Sequence, residues 1–567
     1  MGENVEFPEN ISVNYPEIPQ KSSALVDGIW ETGYTRKNAA SSVGMGGRKE
    51  GNVMKRKAGI LLSVTSLPSA YGIGDLGQAA YDFADFLEQA GQSYWQILPL
   101  GATGHGSADS PYQAYSAFAG NPYLISLQML QEQGLLTQQE CTQAEWGKDP
   151  RTVDYDCLHK SRRKLLRKAY ERSHITENPD FCRFAGEQAF WLEDYALFMA
   201  LKEFFGDSHW KTWPHDIRMR WQNALDYYNE KLYFEIEFHK FTQYIFYTQW
   251  AKLKTYINKK HLEIVGDIPI YVSGDSADVW AHPELFQMDE ELNCTDVAGC
   301  PPDDFTPEGQ LWGNPLYRWN YHRQTGFHWW TDRMRQSFQL YDLVRIDHFR
   351  GFDAYYAIPA ESKTAKDGRW VDGPGLELFQ EMTGKLGKLP IIAEDLGLMT
   401  DSVRKLVRDT GYPNMKVLQF AFGPNDKLGE NDHLPHNYGK NCVVYTGTHD
   451  NMTLAGWLAG LTRGEVKAMR TYLGDHHTPV KQLGERILDM AHGSVAETCI
   501  IPMQDYLGLG KECRMNTPGT VTGNWRWRVK REELTDTLAQ EILETTMRYG
   551  RVNPAVLPEE EPELIEE

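Results

Sequence analysis

Eight short apolar runs punctuate residues 58–503, and four of them lead into a carboxylate. The runs are AGILLSV (58–64), SYWQILPL (93–100), EIVGDIPIYV (263–272), YDLVRI (341–346), PIIAE (390–394), MKVLQFA (415–421), CVVYT (442–446) and TCIIPM (498–503). Each is too short for a helix, and most lack strict alternation, which is the pattern of strands buried on both faces. Longer segments separate them. One, DLGQAAYDFADFLEQAG (75–91), carries apolar residues at helical spacing and stops at Gly91. Strands alternating with helices define a parallel β/α protein, and a count of eight is what a (β/α)8 TIM barrel requires. Asp267, Asp347, Glu394 and Asp450 stand at or near the carboxyl ends of four of these runs. Barrel enzymes keep their chemistry at that end.

Two gaps exceed a simple helical crossover and predict inserted subdomains after the second and third barrel strands. The first, about 101–262, holds the helix-like stretches EQAFWLEDYALFMALKEFF (187–205) and YFEIEFHKFTQYIFYTQWAKLKTYI (233–257), whose aromatic stripes read as core packing. The second, about 273–340, is rich in Trp, Pro, Gly and Asp and reads as loops over a site. Residues 1–55 show no apolar periodicity and have the character of neither a secretory nor a transit leader, so they are expected to form a loosely structured extension. The catalytic barrel is expected to occupy 56–555, followed by an acidic tail, 556–567.

The formal charge of -20 over 567 residues argues against nucleic acid and anionic membranes as partners. No run of about 18 apolar residues is present to span a bilayer. The 8 cysteines form no CxxC pair and no closely spaced Cys/His set, so neither a disulfide framework nor a metal site is expected, and the cytoplasm is the expected compartment.

Nine segments in order carry a resemblance: GILLSVTSLPSAYGIGDLG, YWQILPLG, DSPYQAYSAFAGNPYLISL, GDIPIYVSGDSADVW, CPPDDFTPEGQLWGNPLY, VRIDHFRGF, IIAEDLG, TGTHDN and NTPGTVTGNWRWR. Together they extend from about residue 58 to 528, and they resemble the amylomaltases, the 4-α-glucanotransferases of glycoside hydrolase family 77. That resemblance implies a (β/α)8 barrel with inserted subdomains, reached above from strand counting. It also implies transfer of α-1,4-glucan segments to the 4-hydroxyl of glucose or a maltooligosaccharide, by a retaining double displacement without metal or cofactor. The expected partners are these glucans alone, with the chain a monomer or homodimer.

Retaining transfer needs one carboxylate to attack the anomeric carbon and one carboxylic acid to protonate the leaving oxygen. In V-R-I-D, Arg345 and Asp347 lie two apart and so share a strand face. A guanidinium there favours the ionised nucleophile. Glu394, after IIA, suits the acid/base, while the adjacent Asp395 should face the other way. Asp450 suits the role of transition-state stabiliser, with His449 donating to the same sugar. The resemblance implies the same three catalytic residues, and makes Tyr112, Asp267, Arg345 and His449 ligands or supports of the sugar at the cleavage point. It places a glucan-guiding loop at 300–315, with Asp303, Trp312 and Asn314 as substrate-binding positions. This chain has Asp304 where many relatives carry an aromatic, which leaves a stacking contact there open. An α-glucan hydrolase using the same carboxylates is the alternative at this stage.

Overall fold

The computed structural model describes residues 56–302, 306–423 and 429–557. The expected extension at 1–55, nearly all of the acidic tail, and Asp303, Asp304 and Phe305 of the glucan-guiding loop lie outside the described residues.

Twelve strands form two sheets among the described residues. In chain order they are β1 (Lys57–Leu61), β2 (Tyr94–Gln96), β3 (Glu263–Pro269), β4 (Asp296–Cys300), β5 (Gln310–Pro315), β6 (Leu343–Asp347), β7 (Ala354–Pro359), β8 (Arg369–Asp372), β9 (Ile391–Ala393), β10 (Asn414–Val417), β11 (Cys442–Tyr445) and β12 (Thr498–Pro502). Eight of them close a barrel in the order β1-β12-β11-β10-β9-β6-β3-β2. Its neighbouring pairs are parallel. All eight expected runs contribute a strand, each shorter than the run itself. In the third run the strand ends at Pro269, whose nitrogen carries no hydrogen to extend the ladder. β3 also tolerates no side chain at Gly266, because a Cβ there would stand 2.1 Å from the Tyr341 ring.

The first helix runs Gln78–Gln89 and buries Ala80, Phe83, Ala84 and Leu87 on one face. It starts later than the pattern predicts because the Asp75 carboxylate accepts from the Gly77 N–H at 3.1 Å and fixes the chain in the lead-in to the helix. Between β2 and β3 the insertion is largely helical. Its 27-residue helix Tyr233–Lys259 packs on Ala189–Phe204, and most of the aromatic stripe is buried there, including Phe238, Phe241, Phe246 and Trp250. Gln243 ties the long helix to the loop that follows β2, taking the Gly120 N–H at 2.8 Å and donating to its carbonyl at 2.9 Å.

The second insertion holds more regular structure than its composition suggests. β4 and β5 join β7 and β8 in an antiparallel sheet of order β5-β4-β7-β8, and the helix His328–Leu340 leads back to β6. The strands were hidden because DVAGC and QLWGNP lack β-branched alternation, and because the partner β7 comes from beyond β6. Among the described residues no helix is long and apolar enough to cross a membrane.

Candidate active site

Parallel register assembles the centre of the site. β3 pairs with β6 so that Asp267 lies opposite Arg345 and Pro269 opposite Asp347. Ile346 of β6 pairs with Ala393 of β9, which sets Glu394 one step beyond, near Asp347. Arg345 is the hub. Its Nη1 donates to both oxygens of Asp267 at 2.8 Å, and its Nη2 to Oδ1 of Asp347 at 2.9 Å. Nε points at the Met415 sulfur, 3.4 Å away. Asp267 is fully buried and Arg345 is 3% exposed, whereas the Asp347 side chain is 30% exposed. Burial disfavours the Arg345 charge, yet the charges of Asp267 and Asp347 outweigh that cost and hold the guanidinium protonated.

Removing the arginine strands a buried carboxylate. Arg345→Met is expected to lower stability by about 3–5 kcal/mol, measured as a lower urea midpoint with unchanged slope, together with loss of turnover. An unchanged midpoint would show that Asp267 does not depend on Arg345.

Glu394 occupies a contrasting environment a short distance away. Its Oε2 accepts from the His348 N–H and its Oε1 from the Leu396 N–H, both at 2.7 Å. Burial and the nearby Asp347 charge push this carboxyl up to about 8, against the opposing pull of Arg345 and the two amides. Asp395 turns away, as the strand alternation predicts. Its oxygens take the Met415 N–H at 2.9 Å and the Asn414 amide at 3.2 Å, tying β9 to β10.

His449 and Asp450 follow β11. The Tyr112 hydroxyl donates to Oδ2 of Asp267 at 2.7 Å and lies 2.8 Å from Nε2 of His449. Tyr112 thus joins the buried Asp267–Arg345 pair to the Asp450 segment. Burial first, and then the charge of Asp267, hold its hydroxyl well above the ordinary tyrosine range, so it serves as a neutral donor. Oδ1 of Asp450 accepts from the Asn516 amide at 2.6 Å, and its backbone carbonyl accepts from Arg514 at 2.6 Å. The Asp450 side chain remains 42% exposed.

Of the loop positions, Trp312 is half-buried and meets the His348 ring edge-on, with centroids 4.8 Å apart. Asn314 is buried; its amide donates to the Val272 carbonyl at 2.9 Å and its oxygen accepts from Gln113 at 3.2 Å. Those bonds fix the loop to the barrel rim. Asp303 lies outside the described residues. The structure therefore gathers Asp267, Arg345, Asp347, Glu394, Tyr112, His449 and Asp450 at one end of the barrel.

Sequence reasoning missed the groups that hold these side chains. Asn516 and Arg514 sit near the start of NTPGTVTGNWRWR, where their only signal was proximity to a segment of the resemblance. His348 was also missed. It adopts φ 54° and is half-buried, and desolvation lowers it to about 4, so it is neutral at neutral pH.

A closed parallel barrel whose strand ends carry this cluster of acids around one buried arginine places the chain among the (β/α)8 enzymes. The profile of the family described as 4-alpha-glucanotransferase, glycoside hydrolase family 77, matches residues 62–535. A 4-alpha-glucanotransferase of Streptococcus pneumoniae is 48% identical over 504 residues, covering 88% of this chain and 98% of that protein. One of Thermus thermophilus is 47% identical over 490 residues, covering 85% and 96%. The solved amylomaltase of Streptococcus agalactiae in complex with acarbose superposes with a TM-score of 0.85 at 42% identity, covering 88% of this chain and all of that one. The chain belongs to the 4-α-glucanotransferase family, the amylomaltases of glycoside hydrolase family 77. Its activity is 4-α-glucanotransfer on α-1,4-glucans.

Proposed function

We propose that this chain moves α-1,4-glucan segments by double displacement on Asp347, with Glu394 as acid/base and Asp450 as stabiliser of the transition state. The observation that carries this reading is the contrast between the surroundings of two neighbouring carboxyls. Asp347 is paired with Arg345 at 2.9 Å, while Glu394 is held as an acid up to about 8. A carboxyl held as an acid beside one held by a guanidinium divides the roles of acid and nucleophile.

In the first step an Asp347 oxygen forms a bond to the anomeric carbon. The bond from that carbon to the leaving O4 breaks, and the Glu394 proton passes to O4. Arg345 engages Oδ1, which leaves Oδ2 to attack. Once Asp347 is an ester its negative charge is gone. Burial remains, but the second cause that kept Glu394 protonated goes with that charge, so the same residue can act as a base. In the second step Glu394 takes the proton of an acceptor 4-hydroxyl, the new C1–O4 bond forms, and the ester bond to Asp347 breaks. One α-1,4 bond replaces another, so the exchange is nearly isoenergetic and the scheme calls on no cofactor.

Tyr112, Asp267, Arg345 and His449 position the sugar at the cleavage point, and Asp303, Trp312 and Asn314 of the 300–315 loop guide the glucan. Trp312 offers an apolar face for a sugar ring beside His348. Maltooligosaccharides and longer α-1,4-glucans are the donors and acceptors, the chain works as a monomer or homodimer, and its compartment is the cytoplasm.

Incubation of purified protein with maltotriose, with products resolved by chain length, tests this. The expected result is glucose together with a ladder of maltooligosaccharides longer than the substrate. Glucose and maltose with nothing longer would make water the acceptor and overturn the transfer step.

A further inference from the structure

Outside the catalytic cluster, three side chains from two segments converge on one point. His105 and Asp109 come from the loop 104–112, and His159 from the helix Tyr155–Ser173. One ligand atom from each lies within 4.8 Å of the other two. Nε2 of His159 is 2.8 Å from Oδ1 of Asp109. The two imidazole rings lie 3.8 Å apart between centroids, tilted by 39°. Asp109 is buried, His159 is half-buried, and His105 is exposed, so the point is anchored inside and open outside. A fourth group stands at the rim: Oδ1 of Asp156 is 4.0 Å from Nε2 of His105.

We propose that His105, Asp109 and His159 form a binding site for a divalent cation of the zinc class, with water or Asp156 as fourth ligand. Two imidazoles and one carboxylate suit Zn2+, Co2+ or Ni2+, whereas Mg2+ and Ca2+ prefer oxygen alone. In a tetrahedral site with bonds of about 2.0–2.1 Å, ligand atoms lie roughly 3.3 Å apart. The cluster reaches that spacing through small side-chain shifts.

The ring proton of His159 has somewhere to go. Nδ1 of His159 is hydrogen-bonded to the Tyr123 hydroxyl. Without metal, Nε2–H donates to Asp109 and Nδ1 accepts from Tyr123. With metal, the proton resides on Nδ1 and is donated to the Tyr123 oxygen, which frees the Nε2 lone pair for the cation. A ligating histidine whose other nitrogen is held in this way has a fixed ring orientation.

The loop gives the site its consequence. Ala108 and Asp109 both adopt left-handed backbone, φ 50° and 56°, a conformation unfavourable to residues other than glycine that the loop must hold in place. Three residues later Tyr112 reaches Asp267 and His449. A cation on Asp109 and His159 pins the loop that carries Tyr112 to the inserted helix. The spacing explains why no motif was visible: three residues separate His105 from Asp109, and the third ligand arrives fifty residues on.

The test is metal binding by the full-length chain after EDTA treatment. Titration with Zn2+ by calorimetry should show one equivalent bound. Co2+ should give the visible absorption of a tetrahedral nitrogen–oxygen site, without a thiolate charge-transfer band. His105→Ala, a change at an exposed residue outside the catalytic cluster, should keep metal-free turnover and weaken Zn2+ binding by at least about tenfold. Zn2+ should raise the melting temperature of the parent chain but not of the variant. Absence of uptake, undiminished affinity in His105→Ala, or a thiolate band assigning the ion to cysteines would each overturn the proposal.

Discussion

Asp347→Ala lowers transfer from maltotriose by about 10^4-fold or more, and added azide restores turnover of an activated α-glucosyl donor with inversion at the anomeric carbon. Alanine leaves a gap where the carboxylate stood, at the open end of β6, with the Asp347 side chain 30% exposed in the parent chain. A small anion entering that gap attacks from the face the nucleophile used. It forms a product that cannot be displaced again, so one inversion occurs and the β-azide accumulates. The fold should survive, because the buried partner of Arg345 is Asp267, which the substitution leaves in place with both of its 2.8 Å contacts. A near-normal urea midpoint with lost activity is therefore the expected combination. Retained transfer, or an azide product of retained configuration, would remove Asp347 from the nucleophile's position.

The ease of reading the position of Asp347 from the chain has a physical basis. Barrel strands are buried on both faces, so they appear as short unbroken apolar runs whose ends are plain. Arg345 and Asp347 sit two residues apart on one such strand, and strand alternation alone puts them on the same face and turns Asp395 away from Glu394. Information of that kind is local. What holds Asp450 is not: Asn516 and Arg514 arrive from more than sixty residues downstream, on a segment with no periodic pattern. The antiparallel sheet was hidden for the same reason, since β4 finds its partner in β7 across the whole of β6. Asn314 shows the complementary limit. A motif match places it in a glucan loop, yet its amide and oxygen are both engaged by Val272 and Gln113, a geometry that spacing does not contain.

Glu394→Gln separates the acid from the nucleophile and carries the pH dependence with it. The variant should lose about 10^2–10^4-fold in transfer between ordinary maltooligosaccharides, whose sugar leaving group needs a proton. Much less should be lost in the first step from an α-glucosyl fluoride, whose leaving group departs without one. Azide should then give an α-configured product, the opposite anomer from the Asp347 variant, because here the ester on Asp347 still forms and is displaced a second time. In the parent chain the free-enzyme carboxyl is held up to about 8 by burial and by the charge of Asp347. Below that pH Glu394 is protonated and competent as the acid; above it the proton is gone and the first step fails. The alkaline limb of kcat/KM should therefore fall near pH 8 and vanish in Glu394→Gln. The same linkage acts on stability with a definite sign. A carboxyl raised in the folded state favours folding while protonated, so its contribution is present below the ordinary glutamate range and declines as pH rises towards 8. Glutamine does not titrate, so the variant lacks that decline. It pays for this at one contact, since the side-chain NH2 must face the His348 or the Leu396 N–H that a carboxyl oxygen accepted at 2.7 Å, and unlike that oxygen it cannot accept, a mismatch of about 1–3 kcal/mol. An alkaline limb that survives in Glu394→Gln would assign the titrating acid to another residue, and with it the proton that releases the leaving sugar.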